Sequence, residues 1–177
     1  MSEALPGGRR IAVLGGGAWG TALAQAMLRA CHSVTLWARD AEMADAIRKR
    51  ANPRYLPGIV LDAGIEATSS LAEALRGADC VLAVTPAQSL RQVLNEAKPY
   101  LAPAIPVVLC AKGIERNSGA LLSTIAGEIL PGTPIAALSG PSFATDVAKG
   151  LPTAVVVAAR EESLAAELAA LFSARNL

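Results

Sequence analysis

The chain is short of several things that would announce a function. Aromatic residues make up only 3% of its 177 positions. The core must therefore be built from Ala, Val, Leu and Ile, which suits thin strands closely packed by helices. Charge is also sparse, at 18%, with sixteen Lys and Arg scattered along the chain for a net charge of +1. No broad positive field arises from that distribution, which argues against a nucleic acid partner. A single histidine, His32, sits at a turn and leaves no Ser-His-Asp arrangement. Three cysteines, Cys31, Cys80 and Cys110, form an odd set without metal-ligand spacing, as expected for buried thiols in a reducing compartment. What is plentiful is apolar: 53% hydrophobic residues exclude a disordered chain, and the length suffices for one domain with a proper core.

From Ile11 to Leu28 there is no charge, and Arg9 and Arg10 precede this run. A targeting segment or a short membrane span has that form. Gly15, Gly16 and Gly17, followed by Thr21 and Gln25, interrupt it and argue for a strand, a bend and a helix instead. The strand is Ile11–Leu14. The helix is expected over Thr21–Ala30, with Leu23, Ala26, Met27 and Ala30 on one face.

The same alternation continues. Strands are expected at Ser33–Ala38, Cys80–Pro86, Pro106–Ala111, Pro134–Leu138 and Thr153–Ala159. Helices carry Met43, Ala44 and Ile47; Leu90, Val93, Leu94 and Ala97; Leu121, Leu122, Ile125 and Ile129; and Leu164, Leu168 and Leu171. Asp40 is placed to cap one helix, and Ser70 with Glu73 has the capping-box spacing of another. Residues 1–8 read as a loose tail and 51–64, with two prolines and two glycines, as a loop. The strands are unbroken apolar runs, so both sheet faces are expected to be covered. The predicted architecture is a Rossmann-like, doubly wound, mainly parallel α/β sheet over residues 9–177. Ligands of such sheets collect at the carboxyl ends of the strands.

The first strand end reads Gly15-Gly16-Gly17-Ala18-Trp19-Gly20, a G-x-G-x-x-G pattern in the strand–turn–helix context that a dinucleotide requires. Gly15 allows the tight turn, Gly17 lets a diphosphate approach the backbone, and Gly20 lets the helix pack on the strand. Free amides and the positive end of the helix dipole would face the anion. After the second strand comes Trp37-Ala38-Arg39-Asp40. An NAD site usually has a carboxylate here for the ribose 2′-OH, whereas Arg39 suits a 2′-phosphate, so NADP(H) is favoured and NAD(H) remains possible. Thr85 and Pro86 follow another strand and either edge the middle of the cofactor or simply start a helix. Lys112, followed by Gly113, either points into the crevice to hold a phosphate or polarise a carbonyl, or snorkels at the surface. Ser139-Gly140-Pro141-Ser142-Phe143-Ala144 is a second elbow opening a helix and a possible anion cradle.

Together, "GGGAWGTALA", "VTLWARD", "NPRYLPGI", "VTPAQ", "AKGIE" and "LSGPSFATDVAKGLPTA" resemble the amino-terminal half of bacterial-type NAD(P)-dependent glycerol-3-phosphate dehydrogenases, from Arg10 onward. The resemblance implies reversible reduction of dihydroxyacetone phosphate to sn-glycerol 3-phosphate in the cytoplasm, for glycerophospholipid synthesis. It implies that Ala18, Trp19, Arg39 and Ala144 line the cofactor, that Lys112 touches cofactor and substrate, and that Gly140 and Ser142 meet the phosphorylated substrate. No membrane partner is implied, and a homodimer of the full-length protein is. Two positions depart from the family: Ala18, where serine is frequent, and Cys31, where glycine is. Family members continue into an all-helical domain carrying the proton-transferring lysine, so this chain is expected to be a fragment without turnover of its own. The alternatives are another β-hydroxyacid-type dehydrogenase and a non-enzymatic NADP(H)-sensing module.

Overall fold

The computed structural model describes residues 8–173. The expected tail therefore lies outside the described residues except for Gly8. The uncharged opening run is β1 (Arg10–Leu14) followed by α1 (Ala18–Arg29), the centre of a folded domain. No helix among the described residues is long and apolar enough to cross a membrane.

Next come β2 (Ser33–Trp37), α2 (Ala41–Arg48), β3 (Ala51–Asn52), β4 (Leu56–Val60), β5 (Ile65–Thr68) and α3 (Leu71–Leu75). The second half holds β6 (Cys80–Ala83), α4 (Leu90–Ala97), β7 (Val107–Leu109), α5 (Leu122–Ile129), β8 (Ile135–Ser139), α6 (Ala144–Ala148), β9 (Val156–Ala159) and α7 (Glu162–Phe172). Seven strands form one sheet in the order β5-β2-β1-β6-β7-β8-β9. The chain winds outward from β1 through β2 to β5, then returns to lay β6 against the other side of β1. That reversal leaves a crevice beyond the carboxyl ends of β1 and β6.

Apolar side chains fill both faces at the sheet centre. Leu23, Met27, Ile47 and Phe172 belong to one core. Leu90, Leu94 and Ile125 belong to the other. Each such side chain stabilises the fold by roughly 1.5–3 kcal/mol when fully buried. Local chemistry sets the helix starts. Asp40 Oδ1 accepts the Glu42 amide at 3.0 Å and caps α2. Ser70 Oγ accepts the Glu73 amide at 3.3 Å. The return half of that capping box is replaced: Glu73 accepts the Thr68 hydroxyl at 2.5 Å, and Thr68 Oγ1 accepts the Ser70 amide at 3.0 Å.

Four features differ from expectation. The 51–64 segment is not a plain loop, because β3 and β4 form an antiparallel hairpin beneath its prolines and glycines. Residues Ile65–Thr68 add an edge strand parallel to β2. Coverage of both faces also fails at the far edge. There β9 runs antiparallel to β8, and Ala137, Ser139, Val156 and Ala158 are exposed. The helix α1 also starts at Ala18, ahead of Thr21, because Gly17 already serves as its cap.

Candidate functional site

A cleft of about 850 Å³ opens over the carboxyl ends of β1, β2, β6, β7 and β8. Its floor is the turn after β1. Gly15 has φ +135°, and a Cβ there would sit 2.7 Å from the Val84 carbonyl oxygen. A Cβ on Gly20 would overlap the Gly15 carbonyl oxygen. Gly16, a position that the pattern leaves unspecified, is constrained as well: its Cβ would lie 2.8 Å from that of Ala38. Gly17 differs from all three. A Cβ there would meet nothing within 4 Å, since it would project into open space. Gly17 caps α1 without a side-chain bond, and the first turn carries no acidic residue. The first intrahelical bond runs from the Thr21 amide to the Gly17 carbonyl at 3.0 Å, so the amides of Ala18, Trp19 and Gly20 before it are available to an anion.

At the β2 end, Arg39 is exposed and borders the cleft. Asp40 is committed to capping α2. The tip of the β3–β4 hairpin brings in Arg54 and Tyr55 on the same side, with the Arg54 guanidinium 5.3 Å from the centre of the Tyr55 ring. Neither residue was singled out from sequence, because a hairpin inside a Pro- and Gly-rich stretch gives no periodic signal.

Thr85 and Pro86 line the cleft beside the glycine turn, and Lys112, Gly140, Ser142 and Ala144 line it after β7 and β8. Thr85 is 4% exposed, and among the described residues neither its hydroxyl nor the buried Ser142 hydroxyl has a partner. Buried hydroxyls ordinarily find a partner, and both of these residues line the cleft. Because β7 and β8 are adjacent, Lys112 Nζ reaches the elbow and donates to the Gly140 carbonyl at 3.1 Å. Gly140 itself is required by packing: a Cβ there would lie 2.7 Å from the Ala154 carbonyl oxygen. The elbow is anchored from below by α1, where Gln25 and Arg29 donate to the Ala148 carbonyl at 2.9 and 2.8 Å. Helix α6 spans only five residues, so its dipole is small.

The loop carrying Lys112 is held by side chains. Gln88 donates to the Ile114 carbonyl at 2.8 Å and accepts the Arg116 amide at 3.0 Å. Arg91 forks onto both Glu115 oxygens at 2.8 and 3.0 Å, and Ser118 donates to Glu115 at 2.5 Å. These bonds from Arg91 and Ser118 hold the Glu115 carboxyl down to about 2. Reactive-thiol chemistry is disfavoured at the two inner cysteines. Burial pushes Cys80 up to about 12 and Cys110 higher still, so both stay protonated. Cys31, expected to be buried, is exposed. His32 is structural: its Nδ1 accepts the Arg9 amide at 3.1 Å and its Nε2 lies 2.7 Å from the Leu171 carbonyl oxygen.

A glycine turn at the switch point of a doubly wound sheet, opening onto a helix with unpaired amides, defines a dinucleotide-binding domain. Comparison with known proteins narrows the class. Residues 10–165 match the family model described as the NAD-dependent glycerol-3-phosphate dehydrogenase N-terminus, and the chain belongs to that family. It is 71% identical over 168 residues to a glycerol-3-phosphate dehydrogenase [NAD(P)+] of Mesorhizobium japonicum, covering 95% of this chain and 49% of that protein. It is 54% identical to the Rhodospirillum rubrum protein of the same name, covering 94% and 48%. The crystal structure of glycerol-3-phosphate dehydrogenase from Coxiella burnetii superposes with a TM-score of 0.88 at 32% identity, over 96% of this chain and 52% of that one. The chain thus spans about half the length of the relatives it matches.

Proposed function

We propose that the cleft binds a nicotinamide dinucleotide, NADP(H) in preference to NAD(H), and that the whole protein interconverts dihydroxyacetone phosphate and sn-glycerol 3-phosphate in the cytoplasm for glycerophospholipid synthesis. The observation that carries this is the pairing of two ends in one cleft. Gly17 leaves space above the free amides of α1, and Lys112 stands over the Gly140–Ser142 elbow across from it. The two unpaired hydroxyls, Thr85 and Ser142, fit a ligand that spans those ends. The dinucleotide, when bound, supplies the hydride.

The chain's residues do the rest. Gly15, Gly17, Ala18, Trp19 and Gly20 receive the diphosphate, and Ala18 contributes only its backbone amide. Arg39 takes the 2′-phosphate end. Thr85 and Pro86 border the middle of the cofactor, and Ala144 closes its far side. Lys112 holds the substrate phosphate or stabilises charge on the carbonyl oxygen, with Gly140 and Ser142 beside it. Residues 9–177 act as the nucleotide domain. Proton delivery belongs to a lysine of a helical domain of the whole protein, which acts as a homodimer without nucleic acid or membrane partners.

Titration of this chain with NADPH and NADH, followed through Trp19 fluorescence, tests the binding reading. Saturable binding of NADPH, tighter than NADH, is expected, and binding of neither refutes it. In a full-length protein, Lys112→Ala should lower kcat/KM for dihydroxyacetone phosphate at least about 100-fold. Unchanged turnover would remove Lys112 from the chemistry, and a wild-type full-length protein that binds the nucleotide without turnover would favour a nucleotide-sensing role.

A further inference from the structure

The β3–β4 hairpin contributes to the cleft through its tip, and one buried side chain decides where that tip stands. Asn52 is 1% exposed. Its Nδ2 donates to the Gly16 carbonyl at 3.0 Å and to the Thr21 hydroxyl at 2.8 Å. Its Oδ1 accepts the Tyr55 amide at 3.1 Å. A single amide group thus ties the hairpin tip to the glycine turn and to the first turns of α1. The tip cannot shift without breaking buried hydrogen bonds, each of which is costly to leave unmade.

The tip carries charge to a defined place. Arg54 lies against the Tyr55 ring, which restrains its planar guanidinium. Arg54 and Arg39 both line the cleft, and their neighbours meet: Asn52 holds the Tyr55 amide and the Gly16 carbonyl, and Gly16 packs against Ala38, beside Arg39. Among the described residues neither makes an ion pair with a carboxylate, and the adjacent Asp40 faces its own helix start. Two uncommitted guanidiniums from separate elements, facing the end where a ribose would lie, form a site for a dianion. A neutral ribose 2′-OH would gain little from the second of them.

We propose that Arg54 is a specificity-determining residue, closing with Arg39 a two-arginine clamp on the 2′-phosphate of NADP(H), and that Asn52 is the positioning residue that locks it there. This rests on the nucleotide reading above and adds to it a second charge on a different element. It also makes the hairpin, and not the β2 end alone, the discriminator between the two dinucleotides.

The test is a set of fluorescence titrations of this chain with NADPH and with NADH. Wild type is expected to prefer NADPH. Arg54→Ala should weaken NADPH by about 10- to 100-fold, the loss of a charge-assisted pair, and leave NADH within about twofold. Arg54→Lys should fall between, since it keeps the charge without the fork. Asn52→Ala should lower the NADPH:NADH affinity ratio, whereas mere loss of packing would weaken both nucleotides alike. Should Asn52→Ala fail to fold, Thr21→Val, which removes one of its bonds at constant volume, is read by the same ratio and should lower it less. Wild type that binds neither nucleotide overturns the nucleotide reading and the clamp together. Wild type that binds both equally overturns the clamp alone. Wild type that prefers NADPH, with Arg54→Ala keeping that preference, removes Arg54 and leaves Arg39 and the nucleotide site standing. An unchanged ratio in both Asn52→Ala and Thr21→Val removes the role of Asn52.

Discussion

Two turns face each other across the cleft, and opposite means hold them in shape. The turn after β1 is defined by side chains that are missing: added Cβ atoms at Gly15, Gly16 and Gly20 would each collide with the surrounding backbone or core. The turn after β7 is defined by side chains that are present: Gln88, Arg91, Glu115 and Ser118 grip the loop that carries Lys112. A steric constraint in a packed interior has no soft direction, because neighbouring backbone cannot move aside. A grip made of several polar bonds near the surface is redundant, so the loss of any one of them has a small net cost. The first turn should therefore be brittle and the second compliant.

The largest expected effect breaks the brittle side. Gly15→Val places a β-branched residue at φ +135° against the Val84 carbonyl. It should destabilise the fold by about 3 kcal/mol or more, read as a lowered urea midpoint. A Gly15→Val chain with wild-type stability would show that the turn yields after all. Gly17→Leu separates packing from binding within the same turn. A Cβ there meets no atom of the described residues within 4 Å, so unfolding should stay within about 0.5 kcal/mol of wild type. On the proposed reading, nucleotide affinity should nonetheless fall about 100-fold, since the side chain would fill the space proposed for the diphosphate.

The compliant side predicts a smaller and more local change. Glu115→Gln should leave the melting temperature nearly unmoved while amides at Gly113–Gly119 exchange faster with solvent. The pH dependence has a definite sign. The folded-state carboxyl is depressed to about 2, so its contribution is complete above the ordinary carboxylate range and is lost as pH falls through about 2. Carboxyl NMR should find Glu115 still ionised at pH 4, where an unpaired glutamate is largely protonated. Titration near the ordinary value would mean that the Arg91 fork does not persist in solution.

The central strands were legible because apolar runs of this length, bounded by glycine or proline, have few other uses. Arg39 and Lys112 were legible because they follow such runs directly. The β3–β4 hairpin was not, since its pairing depends on a register shift between Ala51 and Asn52 and on the buried amide of Asn52, neither of which has a periodicity. Edge strand β5 carries only four residues, with Glu66 exposed, too little to separate it from a loop. Thr85 and Ser142 could be nominated from their place after strands, but that their hydroxyls lack partners is a property of the packed fold. Gly16 shows the limit within a motif: the pattern treats it as free, while Ala38 and Met43 leave it no room.

Helix α1 supplies the mildest test, because its far end repeats the backbone problem of its near end with a different answer. Cys31 adopts φ +65°, the left-handed conformation that glycine tolerates best. Its amide donates to the Leu28 carbonyl at 2.9 Å, and the His32 amide donates to that of Met27 at 3.1 Å. That pair of bonds is the Schellman ending, whose left-handed position is usually glycine. The side chain is exposed, so nothing collides with it and the strain is only that of the backbone. Left-handed backbone costs an L-residue roughly 1–2 kcal/mol, partly offset by the greater freedom glycine has when unfolded. Cys31→Gly should thus raise stability by about 0.5–1 kcal/mol in urea unfolding. Nucleotide affinity should not change, since the twelve-residue helix sets this turn about 18 Å from the glycine seat. A loss of stability would mean that the thiol makes contacts worth more than the strain, and the contrast between a forced glycine at one end of α1 and a tolerated substitute at the other would fail.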